Sequence, residues 1–232
     1  MCGRYSLVCI DDLGNRFRVF DPMMGARSRF NIAPGNEMLV ITGGDTRKPA
    51  LMLWGLMPHG TGSPGNAPRQ INSRAETLAE NASLRSLPGE RRCLLPASGF
   101  YEWKKEGSRK VPFYFHLPEI PLFAFAGLCD HGTAPDGSPL KTCSIVTCPA
   151  NDCVAPVHNR MPVILSRETE DSWISGEPLD REALRSILVP YPTGLMAMHP
   201  VSSRVNSPSA VDDERLVQPL NSSAGKQTQL EE

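Results

Sequence analysis

Residues 92–103 read RCLLPASGFYEW, and this stretch decides the fold class. It is rich in aromatic and aliphatic residues and is interrupted by Pro and Gly, which is typical of β-strands bounded by turns. The chain repeats this pattern in six further runs, which we predict as strands: 38–42, 51–56, 111–117, 122–128, 141–148 and 161–166. A chain with so many short apolar runs favours a protein built mainly on β-sheet.

Helical periodicity is confined to four short segments. We predict helices over 11–20, 74–87, 166–174 and 180–188, with Ser166 and Asp180 as N-caps of the last two. Pro (22) and Gly (19) residues are frequent, which favours many short elements joined by turns. No Pro/Ser-rich linker divides the chain, so we predict one mixed α+β domain over residues 1–220. The polar end, residues 221–232, is predicted to be disordered.

Composition excludes several classes of function. The net charge is −1, so the whole chain is not basic, although residues 1–110 hold 16 Lys/Arg against 10 Asp/Glu. That asymmetry permits a basic face on the first half. The 7 cysteines include no CxxC, and no signal peptide or membrane-length apolar run occurs. A reducing cytosol fits best, and no spacing of Cys and His predicts a metal site.

The first five residues read MCGRY and place Cys2 directly after Met1. Removal of Met1 gives Cys2 a free α-amine beside its thiol, a 1,2-aminothiol that no internal cysteine can offer. An aldehyde condenses with such an amine to an imine, and the thiol then closes a five-membered thiazolidine ring. Two other interpretations stay open: an incidental surface thiol, and palmitoylation, for which no polybasic or amphipathic signal is present.

The segment GFYEWKK (99–105) contains the second candidate, Glu102. In a strand, Tyr101 and Trp103 face one side and Glu102 faces the other. Spacing alone favours a solvated carboxylate behind a core-facing aromatic pair. The alternative is a carboxyl group in a pocket, where partial desolvation raises its pKa into a range useful for acid–base catalysis.

Two further segments carry polar candidates. In INSRAE (71–76), an extended chain places Asn72 and Arg74 on the same side; alternatively Asn72 or Ser73 caps the following helix. In VHNRMP (157–162), Pro162 disfavours helix, so His158 and Arg160 share one face. Histidine suits proton transfer near pH 7, although a lone His is more often structural.

Seven separated stretches together resemble the SOS-response-associated peptidase (SRAP) family of abasic-site processing proteins. These stretches are MCGRY, FNIAPG (30–35), LWGLMP (53–58), INSRAE, GFYEWKK, VHNRMPVIL and HPVSSRVN (199–206), in this order. The resemblance spans residues 2 to about 220. Family members commonly carry further aromatic residues where this chain has HGTGSPGNAP (59–68), so base stacking by that loop is not implied.

The resemblance implies a SRAP-like domain of mixed, barrel-like sheets flanked by short helices. It implies an enzyme that binds abasic sites in single-stranded DNA, crosslinks to them through a thiazolidine by lyase-like Schiff-base chemistry, and removes its own initiator Met, hence the peptidase label. It implies no cofactor or metal, a monomer, no membrane, and a location in the cytoplasm with the nucleoid, or in the nucleus. The implied catalytic residues are Cys2, Asn72, Glu102 and His158, and the implied DNA-binding residues are Arg4, Pro34, Trp54, Arg74 and Arg160.

Two rival functions remain at this point. One is a thiol peptidase acting on itself or other proteins, with Cys2, His158 and Glu102 as a triad-like set. The other is a non-enzymatic single-stranded DNA-binding module in which Cys2 is incidental. The implied function requires a free N-terminal Cys, and this requirement distinguishes it from both rivals.

Overall fold

The run at 92–103 forms parts of two strands that belong to different sheets. β6 (Arg92–Ala97) ends and β7 (Gly99–Glu106) begins around Ser98. The Ser98 backbone N–H donates to Ser6 O at 2.8 Å, and a Cβ at Gly99 would lie 2.3 Å from the Tyr114 ring. Only glycine therefore allows the chain to cross between the sheets here. The computed structural model describes residues 2–8, 10–19, 27–43, 46–57, 69–80, 89–134, 136–209 and 211–220.

The first sheet closes into a five-stranded barrel. Its strands are β3 (Glu37–Thr42), β4 (Lys48–Trp54), β6, β9 (Phe123–Thr133) and β10 (Pro139–Pro149). The order β10-β4-β3-β6-β9 returns to β10, which leaves no open edge among these five strands. All neighbours are antiparallel except β4 and β10.

β10 extends beyond the closed part of the barrel and carries two short strands. Its second half pairs in parallel with β5 (Asn72–Arg74) and antiparallel with β11 (Arg160–Pro162). A third short strand, β12 (Ile164–Leu165), pairs with β9. The segments INSRAE and VHNRMP are therefore brought to the two sides of one strand.

The second sheet holds the start of the chain. Its order is β13-β8-β7-β1-β2, formed by β1 (Tyr5–Leu7), β2 (Arg29–Ile32), β7, β8 (Arg109–His116) and β13 (Ala197–Pro200). Tyr5 lies opposite Phe100 in the antiparallel pairing of β1 with β7. The packing of β1 thus depends on a strand nearly a hundred residues further along the chain.

In the described part of the chain, four short helices flank the sheets: α1 (Leu13–Phe17), α2 (Ala75–Glu80), α3 (Arg167–Ile174) and α4 (Arg181–Ile187). Asp180 caps α4 as predicted, since its side chain accepts from the Ala183 N–H at 2.8 Å. Ser166 occupies the N-cap of α3 without capping through its side chain. α1 is shorter than predicted because Arg18 adopts a left-handed conformation with φ 55°.

The observed elements confirm the α+β class with mixed sheets and few short helices. Two predicted features lie outside the described residues: the second half of the helix predicted over 74–87, and the disordered end at 221–232. The 59–68 loop also lies outside them. Among the described residues, no helix is long and apolar enough to cross a membrane, and no three His, Cys, Asp or Glu side chains group as metal ligands.

Candidate active site

Cys2 is buried at the end of the second sheet, not exposed. Residues 2–4 continue the line of β1 beside β7, because the Tyr101 N–H donates to Arg4 O at 3.0 Å. Cys2 has no exposed surface, and its Sγ donates to Arg4 O at 3.7 Å. The expectation that Cys2 lies at the surface is therefore wrong.

Asn72 binds the backbone of Cys2. Its Nδ2 donates to Cys2 O at 2.9 Å, across 70 residues of sequence. Asn72 is buried, and its Oδ1 accepts no hydrogen bond from any described residue. The neighbouring Ser73 hydroxyl lies 2.8 Å from the Ser144 hydroxyl. The side chain of Asn72 thus positions the start of the chain rather than capping α2, and it leaves a buried acceptor beside Cys2.

Glu102 is buried next to Cys2. Only 3% of its surface is exposed, whereas Trp103 is half-buried, so a solvated Glu102 is the wrong interpretation. Burial raises the pKa of Glu102 to about 7, while the positive amino terminus and a hydrogen bond with the Trp103 backbone limit the rise. A carboxyl group with that pKa exchanges protons readily at neutral pH.

The Cys2 thiol is held in its protonated form. Burial raises the pKa of the Cys2 thiol, and the nearby Glu102 carboxylate raises it further. Because the Glu102 carboxylate is close enough to raise this pKa, it is also a nearby base that can accept the thiol proton. A buried, protonated thiol differs from the low-pKa thiolate of a typical cysteine nucleophile.

His158 lies before β11 with its ring oriented by the backbone of Arg160. The Arg160 N–H donates to Nδ1 of His158 at 3.0 Å. Burial lowers the pKa of His158, and the positive amino terminus lowers it further. A neutral ring that accepts at Nδ1 carries its proton on Nε2. Burial therefore favours the uncharged form of both Glu102 and His158.

The three predicted DNA-binding arginines differ in how many hydrogen bonds and ion pairs their guanidinium groups form within the protein. Arg4 is buried and donates to Asn31 Oδ1 at 2.8 Å and Val205 O at 2.6 Å. Arg160 forms an ion pair with Glu76 at 2.6 Å and also donates to a backbone carbonyl of β10. Arg74 is exposed and forms no ion pair within the described parts of the chain. Of the three, Arg74 is the cation most available to a ligand.

Pro34 and Trp54 occupy different environments. Pro34 is exposed in the turn between β2 and β3, next to Gly35 with φ 84°. Trp54 is fully buried: its Nε1 donates to Ile71 O at 2.8 Å, and its ring packs edge-on against Tyr5. Trp54 therefore supports the site from the core and offers no surface of its own to DNA, which corrects its implied place among the DNA-binding residues.

Several supporting residues were not singled out from the sequence. Asn31 and Val205 hold Arg4, Asn206 Oδ1 accepts from Trp103 Nε1 at 2.7 Å, and Glu76 binds Arg160. All four fall inside the motifs FNIAPG, HPVSSRVN and INSRAE. Their roles depend on contacts between distant segments, which no local pattern indicates.

Comparison with known proteins gives matches over most of the chain. The profile of the family described as SOS response associated peptidase (SRAP) matches residues 1–208. The abasic site processing protein YoqW of Bacillus subtilis (strain 168) is 38% identical over 213 residues, covering 90% of this chain and 95% of that protein. The abasic site processing protein HMCES of Xenopus tropicalis is 32% identical, covering 68% of this chain and 53% of that protein.

Solved structures share the fold. A protein from Bacteroides thetaiotaomicron superposes with a TM-score of 0.82 at 27% identity, covering 95% of this chain and 100% of that chain. A phage-related protein from Bordetella bronchiseptica gives a TM-score of 0.68 at 28% identity, covering 91% of this chain and 100% of that chain. With a family match over residues 1–208 and these relatives, the chain belongs to the SOS response associated peptidase (SRAP) family.

Proposed function

We propose that this protein captures abasic sites in single-stranded DNA by a covalent bond to Cys2, after removal of Met1. The relatives are named abasic site processing proteins, which supports the substrate. The observation that carries the proposal is the placement of Cys2: Asn72 holds its carbonyl at 2.9 Å, and a buried carboxyl group with a pKa of about 7 lies beside it. We assign this activity to one unit, residues 1–220, acting as a monomer.

The proposed reaction condenses an aminothiol with an aldehyde. An abasic deoxyribose opens to an aldehyde at C1′, and the Cys2 amine adds to that carbon to give a carbinolamine. Loss of water gives an imine. The Cys2 sulfur then bonds to C1′, the carbon–nitrogen π bond electrons return to nitrogen, and the thiol proton ends on that nitrogen. One water leaves in total, and nothing is oxidised or reduced.

Each buried group has a step that suits its protonation. Glu102 takes a proton from the attacking amine and returns it to the departing hydroxyl, since both forms of the carboxyl group are populated near neutral pH. His158, with a neutral ring, donates a hydrogen bond from Nε2–H to the sugar ring oxygen as the ring opens, and the proton that this oxygen gains comes from the C1′ hydroxyl of the hemiacetal. Asn72 Oδ1, a buried acceptor, receives a hydrogen bond from the free amine or a sugar hydroxyl.

A thiol peptidase is the less favoured function. Peptidases of this kind use a thiolate, and burial raises the pKa of the Cys2 thiol instead of lowering it. Ring closure on an imine tolerates a protonated thiol for two reasons. The imine nitrogen and the thiol belong to the same residue, Cys2, and Glu102 can accept the thiol proton. Any peptidase activity is therefore assigned to the removal of Met1. No observation favours a purely non-enzymatic binding module.

We expect the purified protein to begin at Cys2 and to gain the mass of an abasic oligonucleotide less one water. Intact-mass spectrometry before and after incubation with abasic single-stranded DNA checks both points. An oligonucleotide with an intact base at the same position is the control and should add no mass. Protein that crosslinks while retaining Met1 would contradict the proposal, because its Cys2 nitrogen lies in a peptide bond.

Arg74→Ala is expected to weaken binding of single-stranded DNA and to make the affinity less salt-dependent. Loss of one phosphate contact reduces the slope of log affinity against log salt by about 0.7 on a single strand. Titration of an unreactive abasic analogue at several salt concentrations measures this slope. Lys141→Ala, an exposed charge at the start of β10, is the matched control. Equal salt slopes for Arg74→Ala and wild type would show that Arg74 does not contact a DNA phosphate.

A further inference from the structure

The hairpin that continues from the Glu102 strand carries a dense positive charge. β7 and β8 pair along their full length and turn at Gly107, which has φ 61°. Over residues 104–110 this hairpin has four cations and one carboxylate, namely Lys104, Lys105, Arg109 and Lys110 against Glu106. All but the half-buried Lys104 are exposed. The hairpin therefore presents a net positive charge to the solvent.

On one face of the hairpin Glu106 offsets part of the positive charge of Lys104 and Arg109, and on the other face no carboxylate of residues 104–110 offsets it. On one face, Glu106 lies opposite Arg109 and its carboxylate is 3.4 Å from the Lys104 ammonium. On the other face, Lys105 lies directly opposite Lys110. Neither of these two lysines has an ion pair with any other described residue. Like charges opposite each other destabilise a strand pair, so this arrangement suits a surface that an anion covers.

Lys105 and Lys110 lie near the candidate active site along β7, but on the side of the strand opposite to Glu102. Lys105 is on the same side of β7 as Trp103, because residues two apart in a strand share a face. Lys105 is three residues beyond Glu102, about 10 Å at the rise of a strand. A stacked DNA strand advances about 3.4 Å per nucleotide, so this distance corresponds to roughly three nucleotides.

We propose that Lys105 and Lys110 bind the phosphate backbone of the DNA strand several nucleotides away from the abasic site. This inference rests on the proposed function, and it extends the site from the reacting nucleotide to its flank. Two exposed ammonium groups without ion-pair partners among the described residues suit a flexible polyanion, because lysine acts as a point charge that needs no fixed geometry. The partner is the DNA chain itself, not a separate anion.

The test compares oligonucleotides of two lengths that carry an unreactive tetrahydrofuran abasic analogue. The short one has about one flanking nucleotide on each side, and the long one about ten, enough to exceed the estimated reach. The variant is Lys105→Ala/Lys110→Ala. The control is Lys48→Ala/Lys141→Ala, which removes two exposed lysines from barrel strands β4 and β10. Affinity is measured from low to high salt.

We expect the hairpin variant to bind the long oligonucleotide about 20-fold more weakly at about 0.1 M salt, with the salt slope reduced by about 1.4 for two lost phosphates. The short oligonucleotide should show little difference, and the control variant should match wild type on both. Equal loss on both lengths, or no loss on either, overturns the proposal; in the second case an acidic protein surface becomes the better partner. Crosslinking of wild type to a reactive abasic strand tests the proposed function separately.

Discussion

Cys2→Ser is expected to abolish the heat-stable DNA adduct completely while leaving much of the non-covalent binding. Serine keeps the α-amine once Met1 is removed, so an imine can still form. The hydroxyl is a far weaker nucleophile than the thiol, and the ring that would lock the imine does not persist. The adduct should then appear only when borohydride reduces the imine. Denaturing gel electrophoresis with and without borohydride measures this difference.

The control for this substitution is binding to an unreactive abasic analogue. Because Cys2 is buried, serine places a hydroxyl among apolar neighbours, so thermal unfolding must confirm that the variant is folded. Cys2→Ala serves as a second variant that avoids this polar group. A heat-stable adduct from either variant without borohydride would mean that another residue is the nucleophile.

Glu102→Gln is expected to slow crosslinking by roughly 10²–10⁴-fold, the usual effect of losing a general acid–base group. Glutamine keeps the shape and a hydrogen-bonding group but cannot relay a proton. Single-turnover time courses across pH provide the measurement. In the wild type the rate should rise through the pKa of Glu102, about 7, as the carboxylate that accepts the proton of the amine forms. The variant should lose this inflection and retain only the titration of the amine.

The same substitution should stabilise the fold at high pH. The folded state holds the Glu102 proton more tightly than the unfolded chain, whose carboxyl has an ordinary pKa of 4.5. The stability linked to that proton is present at low pH and is lost as the pH rises through about 7. Ionised Glu102 therefore costs on the order of 3 kcal/mol at about pH 8, and glutamine avoids this cost.

Thermal unfolding of both proteins at about pH 5 and about pH 8 separates a catalytic from a structural role. A functional carboxyl group predicts slower chemistry together with higher stability at the higher pH. Rates within about twofold of wild type at every pH would assign Glu102 to structure alone, and lower stability at both pH values would show that glutamine disrupts the packing.

Elements with a strong local signal were predicted well from the sequence. The strand predicted over 38–42 is observed at Glu37–Thr42, and the helix predicted over 166–174 at Arg167–Ile174. Both have enough residues to show a hydrophobic period. The strands β1, β2, β5 and β13 were missed. Each has three or four residues, too few for a period, and each exists through pairing with a distant partner.

The candidate site shows the same limit. The sequence pattern linked Cys2 to aldehyde chemistry, and the resemblance to the SRAP family added Asn72 and Glu102 as implied catalytic residues, but neither determined which of the three were buried. A strand alternates its faces, so the sequence placed Glu102 opposite to Tyr101 without indicating that both faces of β7 are covered there. The burial of Cys2 and the contact with Asn72 arise only when segments about 70 and 100 residues apart meet.

The dependence of Cys2 on distant strands has a consequence for biosynthesis. Cys2 leaves the ribosome roughly 10–30 s before His158 at ordinary rates of elongation. During that interval β7, β10 and β11 are incomplete or absent, so nothing yet encloses the aminothiol. A processing enzyme has open access to Met1 in this period, and free cellular aldehydes have equal access to the exposed amine. Completion of the fold ends the access of both, and any later removal of Met1 is left to the protein's own proposed activity. The proposed chemistry of this cysteine with aldehydes therefore changes with the age of the nascent chain.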